Sequence, residues 1–363
     1  MTFLLYLRTA RFYRKRFYCQ DLACNIVQPK ARPRSDMKIP ITSETGLRIV
    51  KTRTVLAAFG AVVVTLVSPL TGALAQAQVG LGKVDWPVRL RQDLDRAGQV
   101  EWRLRGAAGN SCPVSAPDIG VVIDDPRDYA AADRPLLKQL VAMDDEAAFA
   151  GVAKGGPADL AGVRQGDALI AINGRNTREL GAEREKGETA STALARHLRT
   201  ALAAGPADLS IRREGQVFAL RIAPVVHCGI RVILQSSGGI DAHSDGRNVA
   251  VSTGLVTFAQ TDAQLALAAA HEFGHAIARH GKPKGLNERR HMEDEADLIG
   301  IRLTLCAGYD AEDAMVLFSR LGKRDILPLL RAPTHRSFSA RIDRIKQGLA
   351  GFTCGMNWLA GSN

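Results

Sequence analysis

The sequence predicts an α+β protein, with a β-rich module followed by a mainly helical one that carries a small sheet. Three observations carry that reading. Residues 113–226 are cut by Gly, Pro and Asn-Gly turns into short apolar runs, the punctuation of a compact sheet. From Thr261 an alanine-rich helical stretch follows and carries His271, Glu272 and His275. A charged helical stretch after it carries Glu293 and Asp297.

The N-terminal region accounts for most of the charge. Residues 1–53 hold twelve Lys/Arg against three acidic residues, +9 of the net +11. The remainder is nearly neutral, so the basic balance is no argument for nucleic acid, and none is expected as a partner. After Lys51 and Arg53 comes "TVLAAFGAVVVTLVSPLTGALAQAQ", an apolar run ending in small residues. Ala73-Leu74-Ala75 and Ala75-Gln76-Ala77 both fit an A-x-A cleavage site. Residues 37–77 therefore read as a signal peptide, and 1–36 as an upstream extension without a role. Pro69 and Gly72 interrupt the run and favour cleavage over a retained signal anchor. No later stretch is apolar enough to span a bilayer. The expectation is an exported, periplasmic protein with no stable membrane span after cleavage, though membrane association stays open.

Residues 78–112 are polar, with Trp86 and Trp102 as their large anchors, and predict little. "APDIGVVIDD" then alternates like a strand, and a charged segment runs to about 145. In "GVAKGGPADLAGVRQGDALIAINGR", Gly156-Pro157 opens a turn and "ADLAG" makes one helical turn. "ALIAI" is a strand closed by Asn173-Gly174. A helix in "ASTALARHLRTALAA" and a hairpin in "LSIRREGQVFALRIAPV" complete the unit. This run, over 113–226, resembles the PDZ domains of bacterial exported proteases. The resemblance implies β-augmentation, with Ile119, Gly120, Val121 and Val122 as the loop and edge strand that meet a peptide and its C-terminal carboxylate. Packing against the second module is the other use such a unit can have.

Thr261 with Gln264 reads as a capping box opening the next helix. His271 and His275 lie about 40° apart around it, so one zinc ion can bridge them. Glu272, turned by about 100° from His271, is placed to act as a general base on water rather than as a ligand. His280 and His291 compete for the third ligand position. On a continuing helix His280 faces away and misses the metzincin spacing; His291 stands alone in a charged turn. Glu293 is the stronger candidate, with Asp297 four residues on to accept a hydrogen bond from a liganding imidazole. Glu295 points elsewhere.

With H-E-x-x-H followed by E-x-x-A-D, residues 228–350 resemble the HtpX/BepA/Oma type of zinc metallopeptidases, gluzincins of metallopeptidase family forty-eight. The resemblance implies one zinc on His271, His275 and Glu293, with Glu272 catalytic and Asp297 behind the ligands. It implies a zincin-type domain over 227–354 and a tail over 355–363. It further implies that the strand around Asn248, Val249, Ala250 and Val251 is an edge gripping extended substrate. The substrates it suggests are unfolded or misassembled envelope proteins, a role in protein quality control. His335, in Thr334-His335-Arg336-Ser337 with Arg341 after it, matches a segment near the zinc in that family. It is expected to donate to an oxyanion, to block the open metal position, or only to cap the next helix. Cys112 and Cys228 bracket the PDZ-like unit, and pairs Cys112–Cys228 and Cys306–Cys354 are expected. The rival reading is a PDZ-bearing binding or chaperone-like protein whose metal site is vestigial.

Overall fold

The structure, a computed structural model, describes residues 85–324 and 336–355. The expectations for the leader and for His335 lie outside these residues. The mixed α+β class is as expected. Helix α1 (Trp86–Ala108) leads. Strands β1 (Ser115–Asp118) and β2 (Val121–Asp124), helix α2 (Arg134–Val141) and strand β3 (Ala148–Val152) follow. Next come β4 (Ala168–Ile172), β5 (Arg175–Asn176), α3 (Ala190–Ala203), β6 (Ala207–Arg213), β7 (Gln216–Ile222) and β8 (Val225–Cys228). The second half has β9 (Arg231–Gln235), β10 (Ala242–Ser244), β11 (Asn248–Ser252) and α4 (Thr253–Phe258). Four longer helices end it: α5 (Asp262–Ile277), α6 (Leu286–Cys306), α7 (Ala311–Arg324) and α8 (Phe338–Leu349).

The first half is a sheet ordered β2-β3-β4-β6-β7, with β5 hairpinned onto β4. Its core is Ile119, Phe149, Leu169, Leu194, Leu209 and Ile211, with α3 closing one side. Asn173 and Gly174 both take positive φ, 48° and 76°, as the two-residue turn between β4 and β5 demands. The charged segment after β2 is longer than this sheet needs because it folds into α2. There Leu137, Met143 and Tyr129 bury a small core of their own, with Trp86 and Leu90 of α1 packed against it. Helix α1 is the element that sequence reading passed over. Leu90, Leu94, Ala97, Leu104 and Ala108 recur at helical spacing, and that stripe is the signal that marks it. Val100 and Leu104 sink into the core of the second half, while α1 also packs against β2 and β3.

In the second half, β10 runs antiparallel and β9 parallel to β11, giving the order β10-β11-β9. This corrects one expectation. Asn248, Val249, Ala250 and Val251 lie on the middle strand, so their backbone groups face β9 and β10 and no edge is free for an added chain. The edge on one side is β10, Ala242–Ser244. Thr261 caps α5 by accepting from Gln264 N. The reciprocal half of the expected box is absent, because Gln264 Oε1 accepts from Gln260 N instead. The expected disulfides Cys112–Cys228 and Cys306–Cys354 are both formed. Among the described residues, no helix is long and apolar enough to cross a membrane.

Candidate metal centre

The site stands where α5 and α6 cross, and two glycines let them cross closely. A Cβ on Gly274 would lie 2.7 Å from the carbonyl oxygen of Ala296, and one on Gly300 would lie 2.9 Å from the amide nitrogen of His271. Only a residue without a side chain admits that backbone approach. The approach brings the carboxylates of α6 up to the histidines of α5.

Three donor atoms converge there. His271 Nε2 and His275 Nε2 are 3.2 Å apart, and Glu293 Oε2 lies 3.3 Å from the first and 3.7 Å from the second. A tetrahedral centre with bonds of about 2.0–2.1 Å separates its ligands by about 3.3 Å, so the three atoms suit one zinc-sized ion. Two neutral imidazoles and a carboxylate are also a donor set that zinc accepts. His271, His275 and Glu293 form a group able to hold a metal among the described residues.

The residues around the donors hold them in register. His271 Nδ1 donates to Asp297 Oδ1 at 2.9 Å, which leaves Nε2 to face the shared point. Asp297 is itself 4% exposed and receives Arg341 Nε on Oδ2 at 2.7 Å. Burial pushes the Asp297 carboxyl up, but Arg341 and the His271 hydrogen bond outweigh it and hold the pKa at about 2. Arg341 lies over the Phe318 ring at 4.1 Å, so α7 and α8 both steady the pair. For His271, burial pulls the ring pKa down while bonds to Asp297 and Glu293 raise it further, to about 9. Burial raises the Glu272 carboxyl, and the neighbouring His271 and His275 rings pull it back. A carboxyl raised in this way is able to take up a proton.

His280 is not where helical extrapolation puts it. The helix stops at Ile277 and the chain turns back, so His280 Nδ1 lies 2.8 Å from His275 Nδ1 and its Nε2 lies 3.0 Å from Glu295 Oε2. It is not one of the three converging donors. His291 is exposed and only approaches Glu295, at 3.9 Å. Ser337 caps α8 by accepting from Ala340 N, and Arg336 reaches Asp294.

In the first half, Ile119 is fully buried and Gly120 takes a positive φ of 78°. Val121 opens β2, which among the described residues is the terminal strand of its sheet, next to β3 and packed beside α3. The Gly120 N–H donates to Asp118 Oδ1 at 2.9 Å, and Arg105 of α1 grips the other oxygen of that carboxylate.

Residues 149–184 match the PDZ domain family. The chain contains a PDZ domain. Over 107 residues it is 31% identical to the mitochondrial metalloendopeptidase OMA1 of Arabidopsis thaliana, a stretch that is 21% of this chain and 22% of that protein. The chain thus spans under a quarter of the relative it matches, and the likeness links it to peptidases. The HtrA3 PDZ domain bound to a phage-derived ligand is 19% identical, over 31% of this chain and 88% of that one, with a TM-score of 0.23. The HtrA-type protease AlgW with a decapeptide is 18% identical, over 31% and 30% of the two chains, also at 0.23.

Proposed function

We propose that this protein is an exported zinc-dependent endopeptidase that hydrolyses peptide bonds in unfolded or misassembled envelope proteins. One observation carries the reading: His271, His275 and Glu293 aim three donor atoms at one point, with Glu272 beside them. The likeness to a metalloendopeptidase and the PDZ domain agree with it. Export is supported by two disulfides, which persist in oxidising compartments.

Zinc held there would supply Lewis acidity, polarising a peptide carbonyl and acidifying water. Glu272 takes a proton from the water that attacks the carbonyl carbon, then delivers it to the departing amine nitrogen. Asp297 and Arg341 keep His271 in the tautomer that presents Nε2. Extended substrate is assigned to the outer edge of β10, since β11 is closed on both sides. Ile119, Gly120 and Val121 are the proposed meeting point for a chain end on the PDZ domain; such an end would have to displace Asp118 from Gly120.

The test is cleavage of casein by wild type and Glu272→Gln, each with and without a zinc chelator. Wild type should cleave, stop on chelation, and recover with stoichiometric zinc. The variant should be slower by about 10²–10⁴-fold, the usual worth of a general base. Equal cleavage by both proteins, or none by either, overturns the proposal; casein binding without cleavage would favour a chaperone-like protein.

A further inference from the structure

One half-buried polar pair near the site has no part in the chemistry above: His280 and Glu295. We infer that they form a positioning relay for His275, the counterpart of Asp297 behind His271; this rests on His275 being a metal ligand. The backbone sets the relay up. At the end of α5, Arg279 adopts a left-handed φ of 54°. His280 N then donates to His275 O at 3.0 Å and Arg279 N to Ala276 O at 3.2 Å, the paired bonds of a Schellman turn. A continuing helix would set His280 about 140° away from His275. The turn instead folds its ring onto His275, edge to face, with centroids 5.0 Å apart.

A single arrangement of protons satisfies the pair of contacts. His275 presents Nε2 to the shared donor point, so its proton sits on Nδ1 and is donated to His280 Nδ1 at 2.8 Å. His280, accepting at Nδ1, carries its own proton on Nε2 and donates it to Glu295 Oε2 at 3.0 Å. The chain of bonds ends on a carboxylate, which fixes its direction. The His280 side chain is only 9% exposed, so water is a poor substitute for either contact. The two ligand histidines are therefore backed unequally. His271 leans directly on a carboxylate, whereas His275 leans on a neutral ring that relays a more distant one.

The test compares His280→Ala, His280→Phe and His280→Gln with wild type, reading zinc affinity by competition with a chromophoric chelator. Cobalt-substituted visible spectra report the geometry of the donor set. Phe keeps the volume but cannot accept a hydrogen bond; Gln keeps an acceptor and a donor. Loss of a partner behind a ligand lowers metal affinity by about 10–100-fold, so Ala and Phe should both fall by that much and Gln should restore most of it. Glu295→Ala, at the relay's outer end, should lose less than His280→Ala, and Glu295→Gln less again. The metal-free variants should keep the wild-type circular dichroism spectrum. Zinc binding by His280→Phe at wild-type strength would make His280 a packing residue and overturn the relay. So would unchanged affinity in His280→Ala, or equal losses in Phe and Gln. Wild-type protein that takes up no zinc would remove the metal centre and the relay together, whereas the other failures remove the relay alone.

Discussion

Two buried aspartate–arginine pairs in this chain look alike and do opposite things. Asp297 is held by Arg341 and passes a hydrogen bond to His271, whose other nitrogen faces the converging donors. Asp118 is held by Arg105 and accepts from the Gly120 amide, within the loop where a peptide carboxylate was expected to bind. Burial alone would raise both carboxyls; in both, arginine and the other donors prevail and lower them. At the first pair, the charge is passed outward to an imidazole whose Nε2 faces the other two donors. At the second, the carboxylate consumes a donor that an outside ligand would need. The ion pair itself does not mark a functional site. What marks one is whether the polar atom at the end of the chain of bonds is left open.

The largest expected effect comes from breaking the second pair at its arginine. Arg105 is 1% exposed, and it also donates to Glu101 and to the carbonyl of Cys228. Replacing it with Met leaves Asp118 buried without the cation that grips it, while Glu101 keeps Arg231. Removing one partner of such a pair costs about 3–5 kcal/mol. Urea unfolding of Arg105→Met should show a loss of that size. A loss below about 1 kcal/mol, the worth of a surface pair, would mean that the Asp118 cluster is not the closed, load-sharing network described.

The first pair should answer in two measurements. Asp297→Ala should weaken zinc binding by about 10–100-fold, since His271 loses the group that sets its tautomer. It should also change the acid limb of stability. The folded-state pKa of Asp297, about 2, lies below its ordinary 3.8, so this stabilisation is present above 3.8 and lost as pH falls through about 2. The difference is worth about 2 kcal/mol. Asp118, also lowered, acts in the same direction. Metal-free Asp297→Ala should therefore destabilise less steeply between pH 4 and pH 2 than metal-free wild type. Parallel acid limbs, or unchanged zinc affinity, would break the comparison from this side.

The parts of the site that a reader could find in the sequence are those set by spacing along one helix. The separations of His271 from His275 and of Glu293 from Asp297 follow from helical geometry, and Gly274 and Gly300 hint at the close crossing that joins them. The parts that escaped depend on chain reversal or distant pairing. The spacing sets His280 aside as a ligand, but its contact with His275 escapes because a helix continued past Ile277 faces it away, whereas Arg279, a non-glycine residue, takes a left-handed turn. The sheet order β10-β11-β9 rests on a parallel pairing of β9 with β11 that no local pattern encodes, so nothing in the sequence opposes the edge that the family resemblance implies for the strand before the helix. Helix α1 was legible in its apolar stripe but passed over among polar residues. Arg105 could not be linked to Asp118 by sequence at all, since the two meet only after α1 packs against the PDZ domain.

The smallest effect is the most telling for that domain. If Asp118 occupies the loop, wild-type protein should hardly distinguish a labelled pentapeptide ending in a free valine carboxylate from its amidated form. The contacts that would read the charge, the Gly120 amide and Arg105, are already spent on Asp118. Asp118→Asn removes the competing charge while keeping the side chain's shape. Arg105 then has a share of its charge to offer, and the loop amide faces a weaker acceptor. A hydrogen bond to a charged group is worth about 1.5–3 kcal/mol, so the variant should bind the carboxylate form about tenfold or more tighter than the amide. Fluorescence anisotropy measures both affinities, and circular dichroism shows that the variant is folded. Strong carboxylate preference in the wild type would show that Asp118 yields its place to a chain end, making the loop an open site like the first. Absence of any preference in the folded variant would leave the loop as a joint between α1 and the sheet, with Asp118 as its bolt.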